Sequence, residues 1–334
     1  MNIYKLGFLL LLPFPFVAYL ASEFPKSSVG QQIRTTGKPD AASVLFKSAD
    51  GGQTWQDMTK ELPGNLQRDG FIINHRGLYL SAGNEVYHHK TYGKAPFWEK
   101  DSFFDKQNII APGKNGTYAY NHWGQIFQKI NGTGVWSPIY ANFKDHRVLT
   151  VFETAGGTVF IGSNRGLFKT IDDGKTWKQV YTGGWVSKLV ESNGILVATS
   201  LRGIERSTDG GENWESVISD DGAGTAIELI DGGLAAITSS RKSNNRRVRT
   251  SYDDGKTWQA IDAGLPQNLS TPNLSINSII QLGDYLFCGH PKGIFRSSDK
   301  GKTWKLLLPS VEKKVFSLFV IGNVIYAIPS SGGC

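Results

Sequence analysis

Short runs of apolar and polar residues of strand length recur along the chain, separated by clusters of Gly, Asp, Ser and Asn. Residues 147–181 show the pattern well: RVLTVFE, GTVFIG and GLFKTI follow one another, and WKQVY comes after a polar turn. The runs are rich in Val, Ile, Leu and Phe, which favours extended backbone packed on both faces. The order returns as VSKLVES, GILVATS, GIERST and WESVI over 186–218, and as NSIIQLG, YLFCG, GIFRSS and WKLLL over 277–308. The pattern predicts repeated units of four short strands.

The turn between the third and fourth strands is itself repeated. SADGGQTW (48–55), TIDDGKTW (170–177), STDGGENW (207–214), SYDDGKTW (251–258) and SSDKGKTW (297–304) share Ser/Thr-x-Asp-x-Gly-x-Thr/Asn-Trp. HKTYGKAPFW and KINGTGVW, ending at Trp98 and Trp136, are worn copies. The seven tryptophans at 55, 98, 136, 177, 214, 258 and 304 stand 37 to 46 residues apart. A period near forty made of four short strands is the signature of a β-propeller blade. Asp50, Asp172, Asp209, Asp253 and Asp299 are expected to accept backbone N–H groups of the turn. The glycine supplies positive φ, and Trp55, Trp177, Trp214, Trp258 and Trp304 offer a large apolar face to the blade edge. These ten residues are therefore expected to be structural, and the acidic pairs Asp172–Asp173 and Asp253–Asp254 to belong to the turn.

The first copy lacks its first two strands, because only a leader and a polar segment precede ASVLFKSADGGQTWQDM. The missing half stands at the other end, where KKVFSLFVIG and NVIYAIPSSGGC supply two strands with no third or fourth. The fragments sum to one repeat. The expected fold is all-β: a seven-bladed β-propeller of four-stranded blades, with the closing blade built from both termini so that no sheet edge stays open.

Composition adds the compartment and little chemistry. Residues 1–21 carry Lys5 before an apolar stretch interrupted by Pro13 and Pro15, which predicts a signal peptide, or else an N-terminal anchor. Residues 22–42 read as a flexible lead-in and 43–334 as the propeller. The protein is expected to be exported, secreted or periplasmic, and monomeric, touching a membrane only through an uncleaved leader. Two cysteines, Cys288 and Cys334, exclude a disulfide framework, and no Cys/His spacing suits a metal; no cofactor is expected. A net charge of +7 suits anionic partners or a solvated basic surface. The densest basic run, RKSNNRRVR (241–249), has no interleaved aromatics, so nucleic acid is not the expected partner.

The repeated S-x-D-x-G-x-T-W resembles the Asp-box, or BNR, repeat of sialidases and related propellers, over residues 43–334. The resemblance implies the fold and treats the box as a peripheral turn; it does not by itself imply an activity. A sialidase would carry an arginine triad, an early Arg-Ile-Pro and a tyrosine nucleophile paired with a glutamate. No Arg-Ile-Pro is present, since the early arginines lie in QQIRTTG and LQRDG, and seven blades depart from six. Xyloglucanase-like members use two propellers. In size and layout the chain is similar to single-domain, seven-bladed members of the photosystem assembly-factor type, which are non-enzymatic scaffolds.

In a propeller the turns between second and third strands share one face with the blade-to-blade connections, opposite the Asp turns. Read in order, the former are GNE, NHWG, SNRG, SLRG, SSRKSNNRR, GHPKG and PSSGG. They place Arg165, Arg202, Arg246 (with Arg241 and Arg247) and Lys292 on one face, with His122 and Trp123 from the third blade. Guanidinium forks beside an aromatic recognise carboxylates, phosphates or sulfated sugars. The expected function is a binding or assembly module for an anionic glycan or acidic protein segment. The alternative is a glycan-processing enzyme using carboxylates of the same loops, Glu85, Asp145 or Asp220–Asp221. No catalytic residue is assigned.

Overall fold

The computed structural model describes residues 34–35, 45–59, 62, 70–74, 77–82, 85–89, 98–101, 109–133, 135–139, 143, 145–219, 222–240, 246–266 and 276–330. The expected leader and most of the lead-in lie outside the described residues, as do Cys334, Arg241 and Asp220–Asp221.

The described strands form seven sheets, one per blade. Blades two to seven span 70–101, 109–139, 148–181, 189–218, 224–260 and 278–309, each with four strands in chain order. Blade one closes the ring as the two half-repeats require. Val315–Ile321 and Val324–Ser330 are its first two strands, and Phe46–Ser48 and Thr54–Asp57 its third and fourth. The seam is an antiparallel pairing of Ser48 with Ile325 and Phe46 with Ala327. Arg34–Thr35, within the lead-in expected to be flexible, adds a fifth, parallel strand against Thr54 and Trp55. No helix among the described residues is long and apolar enough to cross a membrane.

The core is distributed over the joints between blades, because each sheet is covered on both faces by its neighbours. Phe287, Ile294 and Leu308 of blade seven pack with Phe46, Trp55, Phe316 and Ile325 of blade one. Ala235, Ile237 and Val248 of blade six pack with Ile279, Cys288 and Phe295 of blade seven. Cys288 is a free, fully buried thiol, and burial pushes its pKa up, with Asp262 adding to the effect. In blades four, five and seven the fourth strand carries one extra residue opposite the third, between pairs such as Ile294–Leu308 and Phe295–Leu306. Such a bulge turns a side chain inward; in blade seven the extra residue is Leu307, buried against blade one.

Each repeated Asp turn is held by the same bonds. In the first, the Thr54 amide and hydroxyl donate to Asp50 at 2.9 and 2.6 Å, the Ser48 hydroxyl donates to Asp50 at 2.8 Å, and the Gly52 amide donates to Ser48 at 2.9 Å. Asp172, Asp209, Asp253 and Asp299 accept equivalent bonds. Hydrogen bonds to the ionised form hold the carboxyls of Asp172, Asp253 and Asp299 at about 2. Trp55, Trp177, Trp214 and Trp258 each donate their indole N–H to the glycine carbonyl of their own turn. Trp304 instead donates to Ile261 at 2.8 Å, in the connection from blade six.

The glycine of the turn is demanded twice, by its conformation and by its neighbour. Gly52 has φ +83°, and a Cβ there would stand 2.5 Å from Leu307 Cδ1 and 3.0 Å from Phe287 Cε1 of blade seven. A second contact joins consecutive blades. The residue before the motif serine or threonine is a cation in four of the five clear copies, Lys47, Lys169, Arg206 and Arg296. Lys169 donates to the Gly210 carbonyl, Arg206 to that of Asp254 and Arg296 to that of Gly51, at 2.8 to 2.9 Å. Each acceptor directly follows the motif aspartate of the next blade, so the outer rim is stitched in one direction. Thr250 occupies the cation's position in blade six, where the stitch is lost.

Candidate binding face

Antiparallel order within each blade puts the turns between second and third strands, and the blade-to-blade connections, at one end of the sheets. This end is called the upper face. On it, three turns share one construction. Ser163 accepts the Arg165 amide at 3.1 Å, Ser200 accepts the Arg202 amide at 2.9 Å, and His290 Nδ1 accepts the Lys292 amide at 3.1 Å. The residue after each cation is Gly166, Gly203 or Gly293, with φ of +126°, +131° and +137°. A Cβ on these glycines would lie 1.7 to 2.1 Å from a carbonyl oxygen of the adjacent fourth strand, which excludes a side chain. A capping side chain before and an obligatory glycine after therefore fix the cation at the same register in blades four, five and seven.

In blade three the turn is longer, with five residues between the paired Tyr120 and Ile126 instead of two, and it carries an aromatic. Asn121 Oδ1 accepts the amides of Trp123 and Gln125, both at 3.1 Å, so a side-chain cap stands two residues before Trp123 as it does before the cations. Its ring is 59% exposed. His122 is directed away, donating from Nδ1 to the Val148 carbonyl at 2.9 Å and tying blade three to blade four. Arg246 begins the third strand of blade six, and its guanidinium donates to the Ile276 carbonyl at 2.8 Å. Lys292 is exposed on the far side of the ring, on blade seven.

Two residues that sequence reasoning did not single out complete the face. Arg147, in the connection from blade three to four, places its guanidinium 5.6 Å from the centre of the Trp185 ring. Its amide donates to Asn164 Oδ1 at 2.9 Å, which fastens it to the turn that carries Arg165. Trp185 lies in the connection from blade four to five, 38% exposed and with φ +40°. A bulky residue in that region is strained, a condition that clusters at ligand sites. Gly184 beside it abuts the Asn164 carbonyl and Leu201. Trp123, Arg147, Arg165, Trp185 and Arg202 thus follow one another across blades three to five.

Several of the described cations are paired with acids. Lys169 and Lys178 pair with Glu212, Lys188 with Glu228, Arg206 with Glu215 and Arg247 with Asp262. Arg147, Arg165 and Arg202 have no ion-pair partner among the described residues. His146 stands edge-on to Phe143 and Phe168, with Nδ1 sealed from solvent. Burial and then the Arg165 charge hold its pKa below the ordinary value. Burial likewise pushes His290 down to about 4, which keeps Nδ1 a free acceptor for Lys292.

A tyrosine–glutamate pair bridges blades four and five, with the glutamate buried and the tyrosine partly exposed. Tyr181 donates to Glu205 at 2.8 Å, and Glu205 also accepts from Ser200. Glu205 is buried on the third strand of blade five, and burial together with Glu205 pushes the phenol up to about 12. Of the loop acids, Asp145 is exposed on the upper face and Glu85 starts a strand in blade two. No group of three or more His, Cys, Asp or Glu suited to a metal occurs among the described residues.

Ring, turns and upper face together define a β-propeller, and comparison with solved structures agrees. One is YCF48 bound to D1 peptide, with TM-score 0.52 and 16% identity over 78% of this chain and 91% of that one. Another is the GH74 xyloglucanase from Xanthomonas campestris, with TM-score 0.59 and 15% identity over 84% of this chain and 53% of that one. A third is a catalytically inactive virginiamycin B lyase from Staphylococcus aureus with quinupristin, with TM-score 0.57 and 13% identity over 79% and 96%. The chain spans about half of the xyloglucanase. At these identities the likeness is one of fold. No protein-family model matches the chain, and neither does any curated protein.

Proposed function

We propose that the protein is an exported binding or assembly module of the Asp-box type, acting as a monomer, whose upper face takes an anionic ligand, either an acidic protein segment or an anionic glycan. The observation that carries this reading is the run of three guanidiniums without ion-pair partners, Arg147, Arg165 and Arg202, set among exposed Trp123 and Trp185. Every one sits on a turn whose fold is maintained by other atoms, so the side chains are available to a ligand. Guanidinium forks match carboxylate and sulfate oxygens, and the indoles offer flat apolar surface to a sugar ring or a side chain.

The test is fluorescence anisotropy with a labelled deca-glutamate peptide and a labelled heparin hexasaccharide, over a salt series. Saturable binding weakened by salt is expected for at least one probe. Arg165→Glu with Arg202→Glu should weaken it at least about tenfold, equivalent to about 1.4 kcal/mol, while the melting temperature stays put. Binding of both probes unchanged by the double reversal would overturn the reading. Which probe responds separates the protein segment from the glycan.

A further inference from the structure

The opposite face carries a second feature of different character. Between blades six and seven a cleft of about 450 Å³ is lined by Leu229, Ile230, Asp231, Gln281, Gly283 and Asp284. Its walls are the turns that follow the first strands of the two blades. Its floor is built by one amide: Gln281 accepts the Asp231 N–H at 2.7 Å and donates to the Gly283 carbonyl at 2.7 Å, bridging both turns. The cleft is shallow and open, with Asp231, Gly283 and Asp284 exposed along it.

Leu229, on the cleft wall, is 55% exposed, and Tyr252 and Tyr285, near its two turns, are 48% and 37% exposed. Tyr252 lies against Gly233, just beyond the Asp231 turn, and Tyr285 directly follows Asp284. The nearby cations are engaged elsewhere, Lys300 over the Tyr252 ring at 5.1 Å and Arg296 over the Tyr285 ring at 4.5 Å and on the Gly51 carbonyl. Neither Asp231 nor Asp284 has an ion-pair partner among the described residues.

We propose that this cleft is a second binding site, independent of the upper face, for a primary amine or guanidinium carried on an alkyl stem, as on a lysine or arginine side chain of a partner. A carboxylate from each wall flanks the cleft, and the head group of such a ligand carries the opposite charge. Leu229 and Ile230 supply the apolar wall along which a (CH₂)n stem lies while its charge stays near water.

The probe is cadaverine, titrated into ¹⁵N-labelled protein and followed through the amide resonances of 231–233 and 283–285. Glutarate, of equal chain length and opposite charge, is the first control, and methylamine, with no stem, the second. Saturable shifts confined to the two turns are expected with cadaverine, at least tenfold weaker with methylamine and absent with glutarate. Asp231→Asn with Asp284→Asn should lower cadaverine affinity at least tenfold. Leu229→Ser should weaken cadaverine and leave methylamine unchanged. Arg165→Glu with Arg202→Glu should alter none of this, which keeps the outcome separate from that of the upper-face reading. Absence of saturable shifts, or shifts that survive the double Asn variant, would overturn the proposal.

Discussion

Removing residues 314–334 takes away the first two strands of blade one and with them the joint that closes the ring. Val315, Phe316, Leu318 and Ile325 are all at least 97% buried and go with them. At about 1.5–3 kcal/mol for each fully buried side chain, the direct loss is about 6–12 kcal/mol. Phe46, Trp55, Phe287 and Leu307, which share that cluster, would be uncovered in addition. A folded domain holds only about 5–15 kcal/mol in total, so the remainder cannot persist as a ring. Urea unfolding followed by tryptophan fluorescence, with limited proteolysis alongside, reads the outcome. The truncated chain should lose the cooperative transition of the full chain and be cut throughout. Because such a fragment can fail to accumulate, Phe316→Ala offers a second route. Its ring meets that of Phe46 edge-on at 5.8 Å, across the junction of the two chain ends. The substitution should cost about 3–5 kcal/mol, and Phe46→Ala should couple to it by about 0.5–1.5 kcal/mol in a double-mutant cycle. A truncated chain with the midpoint and slope of the full one, or strictly additive phenylalanine variants, would refute the closure argument.

Two further outcomes follow from the Asp turns. The Asp253 carboxyl is lowered from 3.8 to about 2, so its contribution is complete above pH 4 and is lost as the pH falls through 2; Asp172 and Asp299 behave alike. Acid titration of stability should therefore decline across that interval, and Asp253→Asn should flatten the decline, as circular dichroism can check. Gly52→Ala meets Leu307 and Phe287 and should cost about 1–3 kcal/mol from overpacking beyond the strain of positive φ. Gly51→Ala, with φ +67° and nothing within 4 Å, should cost only about 1–2 kcal/mol from backbone strain; equal melting losses for the two would count against the blade-to-blade contact.

The architecture was legible because the repeat writes it several times over. Ser48-x-Asp50 and its copies mark the turns, and the half-repeats around Phe46 and Phe316 declare the closing blade. The turn cations Arg165, Arg202 and Lys292 were legible for the same reason, since the glycine after each is a local demand of the neighbouring strand. Arg147 and Trp185 were not, because the connections between blades have no common length or motif, and their stacking exists only in three dimensions. Arg246 looked equivalent to the other arginines in sequence, yet it opens a strand and turns to the Ile276 carbonyl. The rim contacts of Lys169, Arg206 and Arg296 escaped notice as well: a cation before the motif is visible in one blade, but its acceptor is a backbone carbonyl in the next.

The shared construction of the upper turns separates what holds a blade together from what that blade displays. In blades four and five the variable residue stands one place after Asn164 or Leu201, between a capping serine and a glycine that the strand behind it dictates. Blade three caps a longer turn with Asn121 and displays an indole. Blade seven keeps the frame of blades four and five with a histidine cap and displays an amine. Blades four, five and seven thus each hold one address at which the side chain can be rewritten without touching the core, so the character of the upper face can change there by point substitution while the fold stays constant.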